Sequence, residues 1–240
     1  MIRVSASAFD VLWTDLGHDC PPEPLSVRSV GATEEERAEV RKAVYANLAE
    51  RGLYDGALEP ALASRLELLA SGEVFVACEA LADMTAEAPF RAVTAARGRR
   101  GVLATQPEQT IGLDSIGDGE LGTALVEVLP ELTAGPGYGV SLPATALSSD
   151  AGSRSTAAQR EEALAIQARP VYAAGQFSVS RRSATGRVER LGGLTWFDTD
   201  VGAYCATKTP GRGGSDWVTV TPVDSTRLAA RVAALLTPED

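Results

Sequence analysis

Ile111-Gly112-Leu113-Asp114-Ser115-Ile116-Gly117-Asp118-Gly119-Glu120-Leu121-Gly122-Thr123-Ala124-Leu125-Val126-Glu127-Val128-Leu129 and the later Val218-Thr219-Val220-Thr221-Pro222-Val223-Asp224-Ser225-Thr226-Arg227-Leu228-Ala229-Ala230-Arg231-Val232-Ala233-Ala234-Leu235-Leu236 carry one pattern twice. At a single constant offset Ile111 aligns with Val218, Leu113 with Val220, Ile116 with Val223, Leu121 with Leu228, Leu125 with Val232, and Val128-Leu129 with Leu235-Leu236. Each copy alternates apolar and polar residues like a strand, passes an acidic or hydroxyl residue, then spaces its apolar positions like a helix. A slightly smaller offset brings Gly101-Val102-Leu103-Ala104 against Gly202-Ala203-Tyr204-Cys205. The repeating unit is therefore a helix, a four-stranded meander and a closing helix. A unit with one apolar sheet face cannot bury that face alone, so two copies are expected to share a core about a pseudo-two-fold axis.

Working outward, Phe9, Leu12, Trp13 and Leu16 form one helical stripe, with Ser7 as the expected N-cap. Thr33 and Glu36 have capping-box spacing and start a helix that runs through Val40, Val44 and Leu48 to Arg51-Gly52. A further helix carries Leu58, Leu62, Leu66 and Leu69 and closes at Gly72. The first meander is read at Val74–Cys78, Phe90–Ala95, Gly101–Thr105 and Thr110–Leu113, and the second at 171–180, 190–198, 202–207 and 216–221. A helix of Ala157, Glu161, Leu164 and Ala168 precedes the second meander, and one at about 225–236 ends it. Residues 133–152 hold Gly135, Pro136, Gly137, Gly139, Pro143 and several serines and read as a linker. The expected organisation is one domain of two pseudo-repeats, about 1–132 and 153–240, in the α+β class with a central antiparallel sheet.

Composition excludes several classes of function. With 22 Lys+Arg against 32 Asp+Glu, the formal charge of −10 makes nucleic acid and anionic membrane poor partners. Cys20, Cys78 and Cys205 are too far apart for a CxxC pair or a zinc spacing, and His18 is the sole histidine, so no histidine metal cluster can form. His18 reads as a turn residue. No stretch has the length and apolarity of a membrane span, and the expected location is the cytoplasm.

Three motifs invite chemistry. Gly117-Asp118-Gly119-Glu120-Leu121-Gly122 matches a dinucleotide fingerprint, yet Asp118 and Glu120 would stand where a pyrophosphate sits, and the aligned Val223–Leu228 segment has no glycine. The shared feature is a helix cap, so no NAD or ATP binding and no cofactor are expected. Arg97-Gly98-Arg99-Arg100 and Arg181-Arg182 read as solvated hairpin tips. Phe177, Trp196, Phe197, Tyr204 and Trp217 gather in the second meander. Trp196 and Phe197 must point to opposite faces, so one of them faces away from the main core unless both sheet faces are covered.

The tract Gly193-Leu194-Thr195-Trp196-Phe197-Asp198-Thr199-Asp200-Val201-Gly202-Ala203-Tyr204, followed by Asp216-Trp217-Val218-Thr219-Val220-Thr221-Pro222, resembles the C-terminal signature of the EspG family. Phe9-Asp10-Val11-Leu12-Trp13, Pro24-Leu25-Ser26-Val27, Gly31-Ala32-Thr33-Glu34-Glu35-Glu36-Arg37 and Arg51-Gly52-Leu53 stand in the family's order, so the resemblance spans nearly the whole chain. It implies a cytosolic chaperone of actinobacterial type VII (ESX) secretion, without catalysis, that holds the hydrophobic tip of a helical PPE-like or PE–PPE-like substrate. It also implies a central sheet flanked by two helical bundles with quasi-two-fold symmetry. The loop Ala82 to Pro89 is shorter here than in many members. The partner-binding residues expected are Leu81, Asp83, Met84 and Thr85 on that loop and Phe177, Val179, Trp196 and Asp198 on the second meander, with Trp196, Phe177 and Met84 as leading anchors. Either a monomer or a homodimer is compatible. A small-molecule enzyme and a client-free dimeric scaffold are the competing readings. The enzyme requires a pocket with converging titratable groups, the scaffold a patch closed by symmetry, and the chaperone an open apolar surface.

Overall fold

The computed structural model describes residues 1–147, 154–211 and 216–237. Among these the chain is α+β, with a large antiparallel sheet and six α-helices, and it divides into two compact units.

Unit 1 comprises Met1–Cys78, Phe90–Leu125 and Ser180–Glu189. Strand β1 (Ile2–Ser5) leads into α1 (Ala6–Asp15), followed by α2 (Glu34–Glu50), α3 (Pro60–Ser71), β2 (Val74–Leu81), β3 (Phe90–Arg97), β4 (Arg100–Gln106), β5 (Thr110–Gly117) and the start of α4 (Leu121–Glu127). The strand order is β1-β5-β4-β3-β2. Strand β1 was not expected; it pairs antiparallel with β5, Ile2 opposite Leu113 and Val4 opposite Ile111. Because β1 takes the residues ahead of the helix, the cap of α1 is Ser5, whose Oγ accepts from the Ala8 amide at 3.1 Å, and not Ser7. The cap of α2 is Thr33 as read: Glu36 N–H donates to Thr33 Oγ1, and Glu36 Oε2 reaches back to the Ala32 amide.

The sheet of unit 1 is sealed on both faces. Val93, Ala104 and Leu113 share one cross-strand row, Ala95 and Val102 the next, and these join Phe9, Leu12 and Trp13 of α1 and Leu62, Leu66 and Leu69 of α3 in one core. On the other face Ala92, Thr94, Leu103 and Thr105 are also buried, and Thr94 Oγ1 donates to the Leu121 carbonyl of α4. Two polar clips bind the loop before α2. Asp10 Oδ2 accepts from Arg37 Nη1 and the Val30 amide, while the Gln106 amide group pairs with both backbone groups of Ser26.

Unit 2 comprises Glu79–Pro89, Val126–Val179 and Arg190–Asp240. It contains β6 (Val140–Pro143), a 3-10 turn at Ala144–Leu147, α5 (Arg154–Gln167), β7 (Val171–Arg182), β8 (Val188–Thr199), β9 (Gly202–Pro210), β10 (Asp216–Pro222) and α6 (Ser225–Ala234), with strand order β7-β8-β9-β10-β6. The expected linker at 133–152 is corrected for its described part: Val140–Pro143 pairs along β10, Leu142 opposite Val218 and Val140 opposite Val220. Residues 148–152 lie outside the described residues. Upstream, Gly135 lies so close to the Tyr204 ring that a Cβ there would collide with it, and Ala134 bridges Ala203. This glycine is required for close packing, not for flexibility.

Candidate functional site

The sheet of unit 2 has one sealed and one partly open face, and strand alternation decides which side chains lie on each. A Cβ built on Gly175 would lie 2.7 Å from Trp196 Nε1, so Ala173, Phe177 and Val179 of β7 share the side of Trp196 on β8. That side is closed by α6. Leu228 and Val232 are fully buried, and Leu235 Cδ2 reaches to 3.2 Å of a Cβ position at Gly192.

Three of the expected partner-binding residues, two of them leading anchors, are thereby corrected. Phe177, Val179 and Trp196 are each 0% exposed and form the core beneath α6, so they offer nothing to a partner. Burial even leaves the Trp196 indole N–H without a hydrogen-bond partner. Asp198 is half-buried beside Ala203 on β9.

The opposite face holds Tyr172, Ala174 and Gln176 of β7 with Thr195 and Phe197 of β8. Cross-strand rows continue it, Thr195 to Ala206 to Val220 to Val140 and Lys208 to Val218 to Leu142. α5 covers the far end, where Ala163 packs with Val140 and Leu142. Phe197 stacks on Tyr204 at 5.8 Å, and the Tyr204 O–H donates to the Pro136 carbonyl at 3.1 Å. Burial pushes the Tyr204 phenol above its ordinary range. Nearer β7 the face lies open: Tyr172, Gln176 and Thr195 are exposed, and a shallow depression of about 290 Å³ is lined by Gln176, Arg190, Thr195, Ala206, Lys208 and Val218. The charge at its rim is largely internal, because Lys208 Nζ lies 2.6 Å from Asp216 Oδ2.

The loop after β2 meets the start of this surface. Asp83 Oδ1 accepts from both the amide and the hydroxyl of Thr85, and these two donors hold its carboxyl below the usual carboxylate range. Met84 N–H donates to the Tyr172 carbonyl at 2.9 Å, fixing the turn against β7. The result is a pair of presented side chains, Met84 at 46% and Tyr172 at 56% exposure, with Leu81 half-buried behind them. Leu81, Asp83, Met84 and Thr85 lie together in this turn, and Tyr172 joins them. Sequence reasoning passed over Tyr172; the signal was its opposite parity to Phe177 on one strand.

The remaining motifs are structural. Glu120 Oε2 accepts from the Gly117 amide at 2.6 Å, so the glycine motif's own carboxylate fills the place of a phosphate oxygen. Asp224, aligned with Gly117, caps α6 in the opposite sense, its Oδ1 accepting from Arg227 N–H three residues later at 2.7 Å, so the acidic or hydroxyl N-cap expected in both copies stands only in the second. His18, in unit 1, packs against the Trp13 ring and lies 3.8 Å from Glu67. Among the described residues no three His, Cys, Asp or Glu side chains converge as metal ligands, and no helix is long and apolar enough to cross a membrane.

Comparison with known proteins adds three findings. A model of the EspG family matches residues 5–234. No curated protein matches the chain. Among solved structures the fold is similar to that of the Mycobacterium tuberculosis type VII secretion system chaperone EspG5 in complex with a PE25–PPE41 dimer, with a TM-score of 0.73 at 14% identity over 98% of this chain and 95% of that one.

Proposed function

We propose, for a chain that belongs to the EspG family, that it is a cytoplasmic, non-catalytic type VII secretion chaperone whose open face in unit 2 receives the hydrophobic tip of a helical PPE-type substrate. The observation that carries the reading is the Met84–Tyr172 pair, two large side chains held in solvent by a backbone hydrogen bond between their own residues. An adaptable thioether beside an aromatic ring with a polar tip is the composition of a protein-interface anchor. The charged groups Asp83 and Lys208 are engaged with Thr85 and Asp216, which favours a docking surface over a catalytic pocket. The EspG5 complex with a PE–PPE dimer supports the choice of partner.

A helix laid on this face would bury Ala174, Phe197, Ala206 and Val218 under apolar side chains, with Gln176, Thr195 and Lys208 as the polar rim. The test is co-expression with candidate helical PE and PPE-like proteins, followed by affinity capture and calorimetry. Tyr172→Glu and Met84→Glu should each weaken capture by about 2 kcal/mol or more, the cost of removing an interface anchor. Undiminished capture by both folded variants would place the client elsewhere.

A further inference from the structure

The two arginine-bearing hairpin tips, read from sequence as separate solvated turns, are brought together in unit 1 by one residue. Glu73 N–H donates to the Ala96 carbonyl of β3 at 2.8 Å, and its carbonyl accepts from Arg182 N–H of β7 at 2.7 Å. The β3–β4 tip and the β7–β8 tip therefore flank position 73 on either side, separated by two strand spacings, or about 10 Å. That separation is on the order of one Debye length at physiological ionic strength, so the fields of the two tips add.

Arginines outnumber carboxylates there. Arg97 and Arg100 are direct cross-strand partners on either side of the Gly98–Arg99 turn, and Arg100 Nη2 donates to Ser64 Oγ of α3. Like charges placed opposite each other cost stability in a ladder, and Arg99 at the turn adds a third. Arg182 and Arg187 approach from the other tip, the first donating to the Gly72, Ala70 and Gly186 carbonyls and the second exposed beside Val188, itself 49% exposed. Between the tips lies the Glu73 carboxylate, whose Oε1 is 3.6 Å from Arg97 Nε with both side chains more than half exposed. So loose and wet a bridge is readily displaced. Two exposed acids flank the cluster, Glu189 just past Arg187 in the chain and Asp118 next to Gly117, the cross-strand partner of Arg100, while Glu120 is engaged with the Gly117 amide.

We propose that this end of unit 1 is a docking surface for a short acidic segment of a partner protein, with Glu73 as the internal placeholder that an incoming carboxylate replaces. Guanidinium groups recognise carboxylates through paired N–H donors. A short peptide experiences only the local field, whereas DNA or an anionic bilayer also meets the repulsion of a chain with net charge −10. Val188 supplies an apolar contact beside the cations.

The test is fluorescence anisotropy of the whole protein with a labelled decapeptide of alternating glutamate and leucine, against its glutamine-for-glutamate twin, a single-stranded oligonucleotide and phosphatidylglycerol vesicles. The acidic peptide should bind, more weakly as salt rises, and the glutamine twin should not. Arg99→Glu with Arg187→Glu changes only exposed side chains and should weaken binding by about tenfold or more at an unchanged melting temperature. Arg99→Ala with Arg187→Ala serves the same purpose should the charge reversal disturb folding, and Glu73→Gln should tighten binding. The proposal is overturned if the twin binds equally, if the arginine variants retain wild-type affinity, if Glu73→Gln brings no gain, or if the oligonucleotide or vesicle outcompetes the peptide.

Discussion

Strand β5 with α4 and strand β10 with α6 carry the same apolar pattern, yet they live in different surroundings. Ile111 and Leu113 are 0% exposed, while their aligned partners Val218 and Val220 are half-buried. The helices that follow are alike, with Leu121, Leu125, Leu228 and Val232 all buried. The difference comes from the opposite face. In unit 1 three helices stand between the edge strand and the meander, and α1 and α3 seal the row of Val93, Ala104 and Leu113. In unit 2 the edge strand β6 is followed by α5 as the one α-helix among the described residues before the meander, and it packs on Val140 and Leu142 and lies by Tyr204, leaving the β7 side open. The same sheet pattern makes a core where helices cover it and a binding surface where they do not.

Matched substitutions give the sharpest way to break this comparison. Ile111→Asp places a charge in the sealed face and should cost about 4 kcal/mol or more, abolishing cooperative unfolding in a thermal melt, whereas Val218→Asp should cost no more than about 1 kcal/mol. Equal losses would mean that the open face is not open. Trp196→Ala tests the sealed side of unit 2 and should destabilise by about 3 to 5 kcal/mol in chemical denaturation, with Tyr172→Ala near zero. A stable Trp196 variant would return that residue to the surface.

Smaller effects sharpen the account of each unit. Asp10→Ala leaves the Val30 amide unpaired and takes the carboxylate from Arg37, which keeps Ser29, Thr14 and the Val30 carbonyl, and should cost about 2 kcal/mol, read from the shift in denaturation midpoint. A shift within error would show the clip to be ornamental. Removing the caps of the two repeats compares them directly. Asp224→Ala should cost about 1 kcal/mol, and Glu120→Ala less, since its carboxylate satisfies an amide ahead of a single 3-10 turn. The reverse order would show that the first repeat depends more on its cap.

The expectations that held depend on neighbours close in sequence. Thr33 and Glu36 meet across one helical turn, and Gly72 ends α3. Those that failed depend on partners far along the chain. Strands β1 and β6 are four residues each, too short to announce themselves, and exist because β5 and β10 offer them open edges. Once β1 forms, the cap moves from Ser7 to Ser5, because the helix must start where the strand ends.

Local spacing in the sequence was enough for the duplicated pattern, the start of α2, the family and the fact that Trp196 and Phe197 face opposite ways. Only the tertiary structure decided that Trp196 goes inward, that Tyr172 stands beside Met84, and that Arg97 and Arg182 share Glu73. Alternation along a strand is symmetric: it separates two faces without saying which of them a distant helix will cover, and that choice is made by α5 and α6 as they dock.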